Sequence, residues 1–386
     1  VGVLIAERFI DDAGGNKGES MSKLPLSILI VLAIVVVMHL DAAKPGGNER
    51  AKPGVPIVHS TDLFHPHCDP DDHYDLAYLM AVGEFDVRGI ILDDHRPDGT
   101  QAKQSGRPPI EQMMHITGKK VPIAVGLQAK MRSRDDKMLD APEAGQEGVR
   151  LLLSVLRETN EKVVLNLVGS LCDAVVAFNR EPELMRQKIK AIYVHAGNGP
   201  DGVQDEYNVT LDPNAYVRVL ESGLPIYWCP CFGKQGYATY FVVADESVLI
   251  RACAQPVQNY FVYCLTRSKE DPIRFLSSGP HPIPTGKRNM WCVAPMIHAA
   301  GRKIYERGSD DFVALTPENA QKAGLAAKEI KVFEFAPVQF DTTHFPVLRT
   351  DRRPVQSNQC VFRITDSRYE KVLCSVLKNL LAGLSR

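Results

Sequence analysis

The stretch CDPDDHYDLAYLM, residues 68–80, places Asp69, Asp71, Asp72 and Asp75 within seven positions and then turns apolar. Carboxylates this close repel, and taking one out of water costs several kcal/mol unless it is paired or bound to a cation. Such a cluster either sits in water on a loop or serves a cation or a polar ligand. Three chemistries compete for it. An EF-hand calcium loop needs glycine at its sixth position and glutamate at its twelfth; counted from Asp69, those positions hold Tyr74 and Met80. An aspartyl-phosphate enzyme wants two aspartates two residues apart, directly ending a strand. Asp69-Pro70-Asp71 has the spacing but lies several residues past the apparent strand end. The third reading joins a strand-end carboxylate, Asp62, to the pair Asp71-Asp72 at a helix start. Such a set can hold Ca²⁺, which takes several oxygen ligands, and can grip sugar hydroxyls.

Positioning these groups requires an alternating fold. VPIVHSTD reads as a strand ending in polar residues, and DHYDLAYLMAVG as a helix. DVRGIILDD, VPIAVG, KVVLNLVG, IKAIYVHAG and LPIYWCPC follow as strands, with helical stretches between them. Near-continuous apolar strands alternating with helices predict an α/β fold, a mostly parallel central sheet with helices on both faces. In open parallel sheets ligands bind beyond the carboxyl ends of the strands. Four segments would converge there: Asp62 with the aspartate cluster, Asp93-Asp94-His95, Gly169-Ser170, and His195 through Asn198. His195 and Asn198 are therefore candidates for substrate contact. Asp69 and Asp75 read as solvated charges, Asp75 on the outer face of the first helical turn. Trp228 and Trp291 read as core or pocket wall. Later in the chain, ESVLIRACAQPVQNYFVYCLTRS and RNMWCVAPMIHAAGRKIYERG read as helices and KEIKVFEFAPVQF as strand-like.

The chain has 386 residues, 45% hydrophobic and 24% charged, as a globular protein has. Its formal net charge of −1, with no basic run interleaved with aromatics, argues against a nucleic-acid partner. The segment beginning at Met21 has Lys23, an apolar run from Leu26 to Leu40, and small residues at Ala42 and Ala43. This order predicts a signal peptide over 21–43 and an exported (periplasmic or extracellular) protein. The apolar run is shorter than the about 20 residues of a membrane span, so no stable anchor is expected after cleavage. Residues 1–20 read as an upstream extension, 44–54 as a Pro/Gly-rich linker, and 55–386 as a single domain. The nine cysteines show no regular spacing; no disulfide framework is expected, at most one or two bridges.

The motifs resemble those of the inosine–uridine type nucleoside hydrolases. That family opens with a strand and the pattern D-x-D-P-G-x-D-D-A, to which STDLFHPHCDPDDHYDLA is similar, with extra residues after Asp62. Further on, Glu206, Tyr207, Asn208, Asp212, Pro213 and Ala215 match E-[FY]-N-x-x-x-D-P-x-A-A, and LVGSLCDAVVAF resembles a segment normally written G-P-L-T-N. The likeness covers roughly residues 55 to 232 and implies a nucleoside-hydrolase-like fold. By it, Asp62 would ligate Ca²⁺ and act as general base. Asp72 would be a second calcium ligand, the Cys172 carbonyl a third. Asp71 would bind ribose hydroxyls, and Glu206 and Asn208 would hold the sugar. The implied partner is a small-molecule nucleoside or sugar, with homo-oligomerisation left open. The sequence departs from the pattern twice. His65 and His67 enter the enlarged first loop, either solvated or as transition-metal ligands. Met290 and Trp291 stand where the family carries a late His–Asp pair, with Asn289 beside them as a neutral oxygen donor. Two functions fit: cleavage of an N-glycosidic bond, or a catalytically defective nucleoside- or sugar-binding module.

Overall fold

The strand runs close into an eight-stranded sheet of order β12-β15-β6-β5-β4-β1-β2-β3. Its strands are β1 (Val55–Thr61), β2 (Phe85–Leu92), β3 (Ile123–Val125), β4 (Val163–Val168), β5 (Ile189–Val194), β6 (Ile226–Trp228), β12 (Phe333–Pro337) and β15 (Gln359–Ile364). The structure is a computed structural model and describes residues 54–93, 105–233, 239–351 and 357–384. The leader-like segment 21–43, the extension 1–20 and the linker up to residue 53 lie outside the described residues, as do Asp94 and His95. From Pro53 onward the chain forms one compact unit.

Seven strands pair in parallel and β12 runs antiparallel to β15 at one edge. β4 (VVLNLV) is buried at every position and β1 at all but its first. Continuous burial is what a parallel strand covered on both faces requires. Two apolar clusters accordingly lie on the sheet, one gathering Tyr74, Tyr78, Ile90 and Phe261, the other Leu152, Leu165, Val175 and Trp228. The helix Glu147–Glu158 buries Val149, Leu152, Leu153 and Leu156, an i, i+3, i+4, i+7 stripe, and turns Arg150 and Arg157 outward.

The chain steps outward from β1 through β2 to β3, then returns to the other side of β1 with β4, β5 and β6. The crevice of such a sheet opens where this direction reverses, between the carboxyl ends of β1 and β4. Asp62 follows β1 directly, and Gly169-Ser170 follow β4.

The second half departs from the expected elements. ESVLIRACAQPVQNYFVYCLTRS forms two helices, Glu246–Arg251 and Gln255–Leu265, because Pro256 enters at the start of a new helix, where its missing N–H costs nothing. RNMWCVAPMIHAAGRKIYERG is not one helix. It supplies the last residues of β8 (Lys287–Met290), a short helix Val293–Ala299 and β9 (Lys303–Gly308). β7 (Val242–Asp245) pairs antiparallel with β8. β9 lies between β10 (Asp311–Leu315) and β11 (Glu329–Ile330), while β13 (Gln339–Asp341) pairs with β14 (Arg349–Asp351). All nine cysteines are free thiols. Among the described residues no helix is long and apolar enough to cross a membrane.

Candidate active site

Beyond the switch point lies a cavity of about 890 Å³. Asp62, Asp71, Asp72 and Asp75 line it together with His195, Glu206 and Asn208. Tyr207, Phe232, Tyr240 and Trp291 add an aromatic wall, with Lys287, Arg288 and Asn289 arriving on β8.

Each carboxylate is held from a different element. Thr61, the last residue of β1, donates from Oγ1 to Asp72 Oδ1 at 2.8 Å, tying the strand end to the start of the helix Asp71–Ala81. Asp62 and Asp72 are themselves hydrogen-bonded through their carboxyl groups. Burial, followed by repulsion from Asp72, Asp71 and Asp93, pushes Asp62 well above the usual carboxylate range. Burial also raises Asp72 to about 7 and Asp71 well up, the latter further repelled by Asp72 and Asp69. Burial thus raises Asp62 and Asp72 together, and their proximity couples their titrations. Asp93 is spent differently: Ser60 and Ser170 hydroxyls donate to its two oxygens, which lock the ends of β1, β2 and β4 together.

Glu206 caps the helix Tyr207–Leu211, accepting from Asn208 N at 3.0 Å, and it also accepts from Gly197 N at 2.8 Å. Asn208 donates from Nδ2 to the His195 carbonyl at 2.9 Å, leaving its Oδ1 for a ligand hydroxyl. His195 is fully engaged. Asn166 Nδ2 meets His59 Nδ1 at 3.0 Å, so Asn166 Oδ1 accepts from His195 Nε2 at 2.9 Å, and His195 Nδ1 accepts from Tyr240 OH at 2.7 Å. Burial pushes this imidazole down to about 3. It is a neutral wall residue with no nitrogen left over as a base.

Asn198 and Cys172 do not line the cavity. Asn198 Nδ2 donates to Val203 O and Asp205 Oδ1, bracing the loop after β5. Cys172 opens the helix Cys172–Arg180 with its thiol packed against Met138, 3.7 Å away. Asp75 corrects the expectation of a solvated charge. It is 3% exposed and accepts from the backbone N (3.2 Å) and thiol (2.8 Å) of Cys292, because the β7–β8 hairpin and the turn after it cover that helix face. Asp69 stays exposed and pairs with Arg288 at 2.9 Å. His65 and His67 are buried, which excludes the solvated alternative. Met290 faces the core, taking the Tyr78 hydroxyl on its sulfur, whereas Asn289 and Trp291 face the cavity. Trp291 lies 4.6 Å from Phe241 and 5.8 Å from Phe232, ring centre to ring centre. The β7–β8 pairing carries no local signature: KRNMW runs polar then apolar without alternation, and three helices separate the two strands.

The donor chemistry of Asp62, Asp71 and Asp72 suits a hard cation. Burial first, then repulsion from neighbouring carboxylates, raises their proton affinity, and the nearby Arg288 is taken up by Asp69 and Glu246. Among the described residues, however, no group of three His, Cys, Asp or Glu side chains stands ready to hold a metal ion.

A profile of the inosine–uridine preferring nucleoside hydrolases matches residues 66–270, more than half of the chain. The chain belongs to this family. It is 27% identical over 214 residues to the pyrimidine-specific ribonucleoside hydrolase RihA of Citrobacter koseri, covering 49% of this chain and 65% of that protein. To RihA of Enterobacter sp. it is 29% identical over 183 residues, covering 41% and 56%. The match thus spans less than two thirds of these relatives' length. Among solved structures it is similar to an inosine–uridine preferring nucleoside hydrolase from Bacillus anthracis, with 15% identity, TM-score 0.43, and coverage of 84% and 99%.

Proposed function

We propose that this chain hydrolyses the N-glycosidic bond of a nucleoside or a related glycoside. The observation that carries this reading is the gathering of two sets in one cavity: Asp62, Asp71 and Asp72 from the end of β1 and the helix after it, and Glu206 and Asn208 from the segment after β5. Asp71, Glu206 and Asn208 accept from the ribose hydroxyls and hold the ring. Asp62 orients a water below C1′ and takes its proton, a task suited to a carboxyl whose proton affinity burial and neighbouring carboxylates raise. The water oxygen bonds to C1′ as the C1′–N bond breaks, and the bonding pair leaves on the base nitrogen. The carboxylates stabilise the oxocarbenium-like transition state. The base rests against Trp291 and Phe232, and solvent protonates it on departure. Ca²⁺ held by Asp62 and Asp72 would lower the pKa of the attacking water; Cys172, outside the cavity lining, is not among its donors.

Pyrimidine ribonucleosides, for which the RihA relatives are named, come first in our substrate panel, with inosine beside them. Release of reducing sugar from such a panel is the test. Asp62→Asn is expected to lower kcat by roughly 10²–10⁴-fold with little change in binding; unchanged turnover in that variant would remove Asp62 from the mechanism. A second reading is favoured by the aromatic, acid-free face around Trp291 and by the incomplete metal donor set: a module that captures nucleosides or sugars without cleaving them. Saturable binding by wild type without sugar release would select it. Export is part of the proposal, and a mature N-terminus near residue 44 on protein recovered outside the cell is its check.

A further inference from the structure

The loop between β1 and the helix Asp71–Ala81 carries His65 and His67, and that helix carries His73. All three are more than nine-tenths buried, at 8%, 6% and 1% exposure. The His73 ring centre lies 6.0 Å from that of His65 and 5.4 Å from that of His67. One ring nitrogen of the three residues is hydrogen-bonded, His65 Nε2 to the Ser268 carbonyl at 2.8 Å. The other five, His65 Nδ1 and both nitrogens of His67 and His73, have no partner. The carbonyls of Cys264 and Pro70 lie near His67 and His73 without meeting hydrogen-bond geometry. None of the three histidines lines the carboxylate cavity.

We propose that His65, His67 and His73 form a three-imidazole site for a divalent transition metal of the zinc class, separate from the carboxylate cavity. Buried polar atoms are almost always paired, and five orphaned ring nitrogens on three neighbouring imidazoles need an account. His65 alone is explained by its stacking on Tyr263 and its bond to Ser268; His67 and His73 are not. Burial keeps all three rings neutral, the form in which imidazole binds a metal. His65 Nε2–H donates to a carbonyl, which places the ring's lone pair on Nδ1. That is the outer-shell bond which orients a metal-ligating histidine. Imidazoles on one zinc, with bonds of about 2.0–2.1 Å in tetrahedral geometry, have ring centres about 5 Å apart. The separations of 5.4 and 6.0 Å lie just outside that spacing. The rings stand at 71° and 68° to one another, and no three side chains converge as they stand. Binding therefore draws His67 and His73 toward Nδ1 of His65, which keeps its bond to Ser268, and water completes the tetrahedron. Imidazole nitrogens select zinc-class ions, whereas the aspartates next door offer only hard oxygens. The metal would tie the loop to the helix that begins with Asp71 and Asp72.

The test uses the chelator-stripped full chain titrated with Co²⁺ and then Zn²⁺. Wild type is expected to take up one Co²⁺ with the intense visible bands of four-coordinate cobalt, which Zn²⁺ then displaces. The double variant Asp62→Asn/Asp72→Asn keeps these bands, and His67→Gln and His73→Gln lose them while keeping the wild-type circular dichroism. Should His73→Gln fail to fold, His67→Gln, on the loop, decides alone. Absence of the bands in folded wild type overturns the proposal, as does their loss in the aspartate variant with retention in His67→Gln. Nucleoside turnover does not enter the readout, so failure of the hydrolase reading leaves this result standing.

Discussion

Asp75 shows how far a single carboxylate can depart from its sequence context. It follows the Asp71-Asp72 pair by one turn, yet burial under the β8 turn pushes it up to about 7, against the pull of the Cys292 thiol. In an unfolded chain the same group titrates near 3.9. Its folded-state pKa is raised, so the folded protein binds the proton more tightly than the unfolded chain. The stability this contributes is fully present below the unfolded pKa and is lost as pH rises through about 7. Thermal midpoints of the metal-free protein are therefore expected to fall between pH 5 and pH 8. Asp75→Asn keeps an acceptor for the Cys292 backbone N and removes the titration. Its midpoint should fall less over that interval, with a difference in slope worth a few kcal/mol. Parallel pH curves for the variant and wild type would show that Asp75 does not carry the effect.

At the level of elements, the site depends on helix starts held against strand ends. Asp212 caps the helix Pro213–Glu221 by accepting from Ala215 N at 3.0 Å, and its other oxygen accepts from Met131 N at 2.8 Å. It is fully buried and binds the helix after the Glu206–Asn208 segment to the loop after β3. Asp212→Ala strands both donors, so a loss of about 2 kcal/mol or more is expected in chemical denaturation. A loss within 0.5 kcal/mol, the range of an ordinary surface substitution, would contradict this role. The same elements explain what could be read from sequence. β1, β2, β4 and β5 are apolar runs whose burial is local information, and Asp62 and His195 follow from where those runs end, whereas Glu206 and Asn208 are legible only through the motif resemblance. The β7–β8 hairpin is short and half-buried, and its partners are set by contacts 40 residues or more apart, as in Val242 against Met290. Asp75, Tyr240 and Trp291 became cavity residues only through that pairing. Asn198 ends a strand as its neighbours do, but its amide is consumed by Val203 and Asp205, a distinction that no pattern of residue types carries.

Across the whole molecule, near-neutrality conceals a strong local field. The chain carries 45 basic and 46 acidic residues, yet the cavity is lined by six carboxylates against two cationic side chains. One of those two, Arg288, is already ion-paired with Asp69 and Glu246, leaving Lys287 to face a ligand. A cavity with walls of one charge sign focuses its field inward and sorts ligands by charge. Neutral nucleosides meet only hydroxyl acceptors there, whereas a 5′-phosphate must approach the aspartates. In the absence of added divalent cation and at alkaline pH, where the raised carboxyls are ionised, uridine 5′-monophosphate should therefore bind the turnover-blocked Asp62→Asn protein at least tenfold more weakly than uridine, a difference of about 1.4 kcal/mol. The gap should narrow as salt is raised, because screening shortens the reach of the aspartates toward the phosphate. Calorimetric titration of both ligands at low and high ionic strength measures it. Equal or tighter binding of the monophosphate would mean that Lys287 and Arg288, rather than the carboxylates, set the charge preference of the cavity.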